Sequence, residues 1–171
     1  MKAVEVYLAL GSNIEPEFHL REAVARIREI DTVTGISAVW ETRPIGEGSG
    51  NEIFLNAVIR LRTMRSAAEI ITEIIPSIEQ SLGRVRDPNN VNAPRTIDID
   101  LTLYGDLIGT VAGHTLPDPE ITDVLHLAGP LSELAPTMVI SGQLRTIAEI
   151  AAELERDAPP LIRSDLDLTT T

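Results

Sequence analysis

A chain of 171 residues that is 43% hydrophobic but only 3% aromatic can bury one substantial core, and that core must be aliphatic. The absence of cysteine excludes disulfides, thiolate metal sites and cysteine nucleophiles. A net charge of −12 argues against a general nucleic-acid binder, so phosphate can be handled only where the arginines are concentrated locally.

Val4 to Leu10 predicts a short apolar strand ended by the turn signal Gly11-Ser12-Asn13. From Glu15 to Ile30 the spacing of Leu20, Val24 and Ile27 among charged residues predicts an amphipathic helix. Thr32 to Thr42 is β-branched and predicts a second strand, followed by a loop from Arg43 through Pro44 and Ile45 to Gly50 with three glycines. Ile53 to Leu61 predicts a third strand. Ser66, with Glu69 three residues on, has the pattern of a capping box opening a helix to about Leu82, with Pro76 set to kink or divide it. A fourth strand spans Thr96 to Tyr104.

The order β-α-β-β-α-β predicts an α+β fold, a ferredoxin-like antiparallel sheet with helices packed on it. Residues from about Asp106 form a C-terminal elaboration, with a Pro-rich stretch and a helix near Thr146 to Arg156. No repeat or linker divides the chain, so the expectation is one domain over 1–171 with a frayed tail over 157–171. The N-terminus lacks signal-peptide architecture and no apolar run approaches a membrane span, so a soluble, cytoplasmic protein is expected, as monomer or homodimer and without nucleic-acid or membrane partners.

The chemistry concentrates before and on the fourth strand. Gly83-Arg84-Val85-Arg86 precedes Pro94-Arg95-Thr96-Ile97-Asp98-Ile99-Asp100. Side chains alternate along a strand, so Asp98 and Asp100 share one face and Ile97, Ile99 and Leu101 the other. Two carboxylates on one face repel unless a positive group lies between them. A pair of hard oxygen ligands with three nearby arginines suits a magnesium–polyphosphate substrate, although a solvated acidic edge strand would carry the same two aspartates.

These segments, with Leu8-Ala9-Leu10-Gly11-Ser12-Asn13, Glu41-Thr42-Arg43-Pro44-Ile45-Gly46, Phe54-Leu55-Asn56-Ala57 and Pro130 to Pro136, resemble the 6-hydroxymethyl-7,8-dihydropterin pyrophosphokinase family over about residues 4–136. The resemblance implies Mg-assisted pyrophosphoryl transfer from ATP to the pterin hydroxymethyl group in folate biosynthesis, with AMP leaving. It implies Asp98 and Asp100 as holders of two Mg²⁺ ions, and Arg84 and Arg95 beside them as catalytic residues. The ATP site implied is Glu79, Arg84, Arg86, Arg95, Thr96 and Ile97. Thr42, Pro44, Ile45, Phe54, Asn56 and His126 correspond to the pterin pocket.

The chain departs from the family pattern at Asn92, where an aromatic is usual, and at Asp118, where histidine is usual. Val124 replaces a phosphate-contacting arginine and His126 the second aromatic of the pterin sandwich. One lost charge-assisted contact costs about 1.5–3 kcal/mol, which leaves open a family-fold protein that binds a heterocycle with weak or no transfer. It also leaves open a different nucleotide-dependent transferase. Arg43 and Arg145 are the candidates to replace the missing arginine. Taken alone, Phe54 reads equally as core, His126 as a structural histidine, Trp40 as packing, and His19 and His114 as surface residues.

Overall fold

The computed structural model describes residues 2–43, 52–86, 88–90 and 93–170. Its elements are β1 (Val4–Ser12), α1 (Pro16–Ile30), β2 (Thr32–Ile36), β3 (Trp40–Thr42), β4 (Phe54–Thr63), α2 (Ala67–Glu69), a π-turn (Ile70–Ile74), α3 (Ile75–Ser81) and β5 (Asp98–Tyr104). There follow a hairpin of β6 (Gly109–Val111) and β7 (His114–Leu116), a 3₁₀ turn (Pro119–Thr122), α4 (Leu125–Leu134), α5 (Ile147–Asp157) and β8 (Ile162–Arg163). The main sheet runs β5-β1-β4-β3-β8 with β2 also on β4, and every pairing is antiparallel. With β2 and β3 as two halves of one strand and β8 added outside β3, this is the ferredoxin-like order expected.

Helices cover both faces. Leu20, Val24 and Ile27 of α1 and Ile70, Ile75 and Ile78 of the second helical run bury against Val6, Leu8, Ile59, Ile97 and Ile99. On the opposite face Leu127 and Leu131 of α4 meet Tyr7, Val58 and Leu103, joined by Ile121 and Ile147. The pairing of β1 with β5 shifts register at Tyr7/Leu8, leaving Thr102 as the extra residue. Leu101 and Leu103 therefore enter different cores despite their spacing of two. Thr102 is fully buried there, donates its hydroxyl to Tyr7 O, and accepts Asp118 N–H at 2.9 Å. The bulge thus ties the 117–122 segment beside the acidic end of β5.

Several local expectations change. The strand expected over Thr32–Thr42 is interrupted, because Glu133 reaches back from α4 to accept Ala38 N–H at 2.8 Å and Trp40 Nε1 at 2.6 Å. Trp40 is consequently a hydrogen-bonded residue and not packing alone. Ser66 does cap its helix by accepting Glu69 N–H, but Glu69 pairs with Arg65, so this is no reciprocal box. The helix widens into a π-turn immediately before Pro76, whose missing N–H cannot serve an α-helical bond. The helix predicted near Thr146 forms with a complete Thr146/Glu149 capping box.

The tail returns to the fold. Ile162 and Arg163 pair with Glu41 and Trp40, Leu168 is buried in the main core, and Arg21 and Arg28 donate to Asp167 O and Thr169 O. His19, expected at the surface, is buried with Nδ1 2.6 Å from Ile14 O, whereas His114 is exposed. Among the described residues no helix is long and apolar enough to cross a membrane.

Candidate active site

The ends of β1, β3, β4 and β5 and the segment from Asp118 to Leu127 enclose a cavity of about 420 Å³, within the range of small-molecule sites. Thr42, Arg43, Phe54, Asn56, Arg95, Asp98, Asp100, Asp118, Glu120, Val124 and His126 all face it. Gly11 forms part of the floor, where a Cβ would stand 3.4 Å from Asn56 Oδ1.

One wall is neutral. Asn56, nearly buried, donates its amide to Thr42 Oγ1 at 3.0 Å and to Trp40 O at 3.3 Å, which locks β3 to β4. Phe54 is half-buried and lines the cavity rather than the core. His126 lines the same cavity, and burial lowers its pKa, which favours the neutral ring. Pro44, Ile45 and Asn92 lie outside the described residues.

The other wall is charged. Asp98 and Asp100 share the cavity face of β5, as the alternation requires. The charge of Asp98 is only partly offset: Arg84 Nη2 approaches it at 3.2 Å and Arg95 Nη1 pairs with its other oxygen. No hydrogen bond or ion pair engages the Asp100 carboxylate among the described residues. Although solvent reaches it, its position in the concavity raises its pKa to about 7, through desolvation first and then the negative charges of Asp98, Asp118, Glu79 and Glu120. Burial also raises Asp118 and Glu120, the latter aided by the charge of Asp118. Glu120 carries no motif signal in the sequence; the 3₁₀ turn capped by Asp118 is what brings it here.

Two arginines are arranged around this wall. The Arg95 guanidinium spans it, pairing with Asp98 while its carbon lies 5.7 Å from the Phe54 ring centroid, a cation–π distance. Arg84 is nearly buried, with a side chain 9% exposed, and its Nε and Nη1 have no acceptor among the described residues. Those two buried donors suit an anion that the chain does not supply. Thr96 Oγ1 is a third buried polar atom without a partner.

Other expected contacts are indirect. Glu79 is 3% exposed; one carboxylate oxygen accepts Ile99 N–H at 3.0 Å and the other Arg86 Nη2 at 2.7 Å. It fixes the outer edge of β5 and holds the largely exposed Arg86, and it is not on the cavity wall. Ile97 is fully buried in the core, so only its backbone can meet a ligand. Arg145 pairs with Glu153 at α5, outside the cavity lining, while Arg43 faces the cavity.

Among the described residues no group of three acids or histidines is spaced to hold a metal ion. The donor chemistry nevertheless fits magnesium, whose hard-oxygen shell is typically one or two carboxylates completed by water and phosphate. A divalent cation would also relieve the concentration of acid that raises Asp100.

A sequence model of 7,8-dihydro-6-hydroxymethylpterin-pyrophosphokinase matches residues 7–136. The chain is 34% identical over 131 residues to the 2-amino-4-hydroxy-6-hydroxymethyldihydropteridine pyrophosphokinase of Bacillus subtilis, covering 75% of this chain and 76% of that one. It is 33% identical over 152 residues to the enzyme of the same name from Methylorubrum extorquens, covering 87% and 92%. The fold matches a solved HPPK-DHPS chain in complex with substrates at a TM-score of 0.71 and 11% identity, over 92% of this chain and 44% of that longer one. It matches Plasmodium falciparum HPPK-DHPS with pteroate at 0.68 and 13%, over 89% and 42%. The cavity with its paired aspartates thus lies inside the matched region, and the chain belongs to the 7,8-dihydro-6-hydroxymethylpterin-pyrophosphokinase family of transferases.

Proposed function

We propose that this chain transfers the terminal pyrophosphoryl group of MgATP to 6-hydroxymethyl-7,8-dihydropterin, in the cytoplasm, as a step of folate synthesis. The hydroxymethyl oxygen bonds to the β-phosphorus, the bond from that phosphorus to the α,β-bridging oxygen breaks, AMP departs with that oxygen, and the hydroxyl proton passes to solvent. The observation that carries this reading is Arg95, which spans Asp98 and the face of Phe54 and so sets the acidic pair and the aromatic platform within one side chain's reach.

Asp98 and Asp100 would hold two Mg²⁺ ions, which neutralise triphosphate charge and orient it for in-line displacement when bound. Arg84 offers its unpartnered donors to phosphate oxygens, and Arg95 turns from Asp98 toward the same charge. Phe54 stacks on the pterin ring, with the neutral His126 opposite, while Asn56 and Thr42 read its edge. Such transfer depends on positioning and charge neutralisation more than on a strong base.

The presence of Asp118 and Val124 in the cavity lining supports a second reading, in which a heterocycle binds but transfer is weak. Incubation with ATP, Mg²⁺ and hydroxymethyldihydropterin, followed by phosphorus NMR, separates the two. The first reading gives AMP and pterin pyrophosphate in equal amounts. Pterin binding without AMP supports the second, and ADP as the nucleotide product contradicts both.

A further inference from the structure

Beyond the acidic end of its pairing with β5, β1 continues into a short clamp. Gly11 pairs with Asp98, and the next three residues turn onto the segment just before β5. Asn13 N–H and Ile14 N–H both donate to Arg95 O, at 3.1 and 3.2 Å. Asn13 Oδ1 accepts Arg95 N–H at 2.7 Å. One residue therefore holds both backbone polar groups of Arg95. Ser12 Oγ donates to Thr96 O and secures the following peptide. Asn13 is 3% exposed, and its Nδ2 has no partner, so its side chain serves here through the oxygen alone.

The sequence places Asn13 at the end of a turn signal and of a segment shared with the family, without giving it a role. Its place in the structure does. Arg95 reaches Asp98 and Phe54 together, and that reach depends on where its backbone stands.

We infer that Asn13 is a positioning residue for transfer, fixing the Arg95 backbone so that its guanidinium serves the acidic pair and the aromatic platform at once. The inference rests on the role given to Arg95 under the proposed function. Asn13 touches neither substrate in this account; it acts through Arg95. A misplacement of about 1 Å in a catalytic group can cost about 10²-fold in rate. Losing the side-chain acceptor while the backbone bonds remain should cost less.

The test is a double-mutant cycle. Initial rates, with KM for ATP and for the pterin resolved separately, are compared for wild type, Asn13→Ala, Arg95→Ala and the double variant. Asn13→Ala should lower kcat by about 10- to 100-fold with smaller changes in either KM. The double variant should be no slower than Arg95→Ala alone, because Asn13 acts only through Arg95. Fully additive losses, or an Asn13→Ala enzyme as fast as wild type, would overturn the inference while leaving the function standing. An Arg95→Ala enzyme of full activity would overturn the role of Arg95 and the inference with it. Amide hydrogen exchange on the wild-type protein gives a reading independent of any variant's folding. The Arg95 N–H should be protected, and exchange at the rate of a free loop would contradict the clamp.

Discussion

On the β3–β4 side of the cavity, Asn56 has acceptors in Trp40 O and Thr42 Oγ1, Phe54 is an uncharged ring, and burial favours the neutral form of His126. On the β5 side, Asp100 is raised by desolvation and by the charges of Asp98, Asp118, Glu79 and Glu120, and Arg84 keeps two donors without an acceptor among the described residues. The neutral wall is complete as it stands. The charged wall is satisfied only in part: Asp98 is paired and Asp118 accepts Glu120 N–H, whereas the Asp100 carboxylate and Arg84 Nε and Nη1 have no hydrogen-bond partner among the described residues. An unsatisfied buried group costs stability unless a ligand completes it, so unfinished polarity marks where binding free energy is to be gained.

The largest expected effect separates the two aspartates. Asp100→Ala and Asp98→Ala should each lower AMP formation by about 10²-fold or more, because each removes a carboxylate proposed to hold Mg²⁺. Their stabilities should diverge. Asp98→Ala strands the nearly buried Arg84 beside Arg95 and should cost about 2 kcal/mol in chemical denaturation. Asp100→Ala should leave stability at or above wild type. Equal destabilisation by both would contradict the pairing of Asp98.

The next effect converts the charged wall toward the usual family pattern. Asp118→His with Val124→Arg replaces one repulsive and one inert side chain by phosphate-directed donors, and kcat/KM for ATP should rise about tenfold. Asp118 also caps the 3₁₀ turn through Glu120 N–H, so the double variant should lose about 1 kcal/mol of stability. A variant that folds but is no faster would show that an existing cation already fills the place. Arg43 is the candidate, since it faces the cavity and Arg145 does not. Arg43→Ala should raise KM for ATP by several-fold, with little change for the pterin, in steady-state assays at low salt.

The smallest effect is on pH. A carboxyl whose folded pKa lies near 7, against an unfolded value near 3.8, binds more protons when folded, so stability falls as pH rises from about 4 to 7. Metal-free wild type should show this decline in thermal melts, and Asp100→Asn should flatten it. Identical pH profiles would remove Asp100 as its source.

Most of the sheet is legible in the sequence because apolar periodicity reports burial on one face, and Asp98 and Asp100 fall together by that same alternation. What is not legible depends on distant partners. The break between β2 and β3 is imposed by Glu133, nearly a hundred residues later. The tail is ordered because Leu168 finds the main core and α1 donates to its carbonyls. Alternation does not reveal that Asp98 is flanked by Arg84 and Arg95 while Asp100 is not. Glu120 and Asn13 are silent for the same reason: one is delivered by a short 3₁₀ turn, the other matters only through the backbone of Arg95.

The contrast between the walls is tested most directly by calorimetric titration of a non-hydrolysable ATP analogue into wild type and Asp100→Asn, each with Mg²⁺ and with excess chelator. The account predicts that wild type binds the analogue with Mg²⁺ and loses that binding in chelator. It also predicts that Asp100→Asn, with one carboxylate fewer, binds more weakly with Mg²⁺ and is less sensitive to chelator. Equal affinity with and without Mg²⁺ in wild type would contradict it.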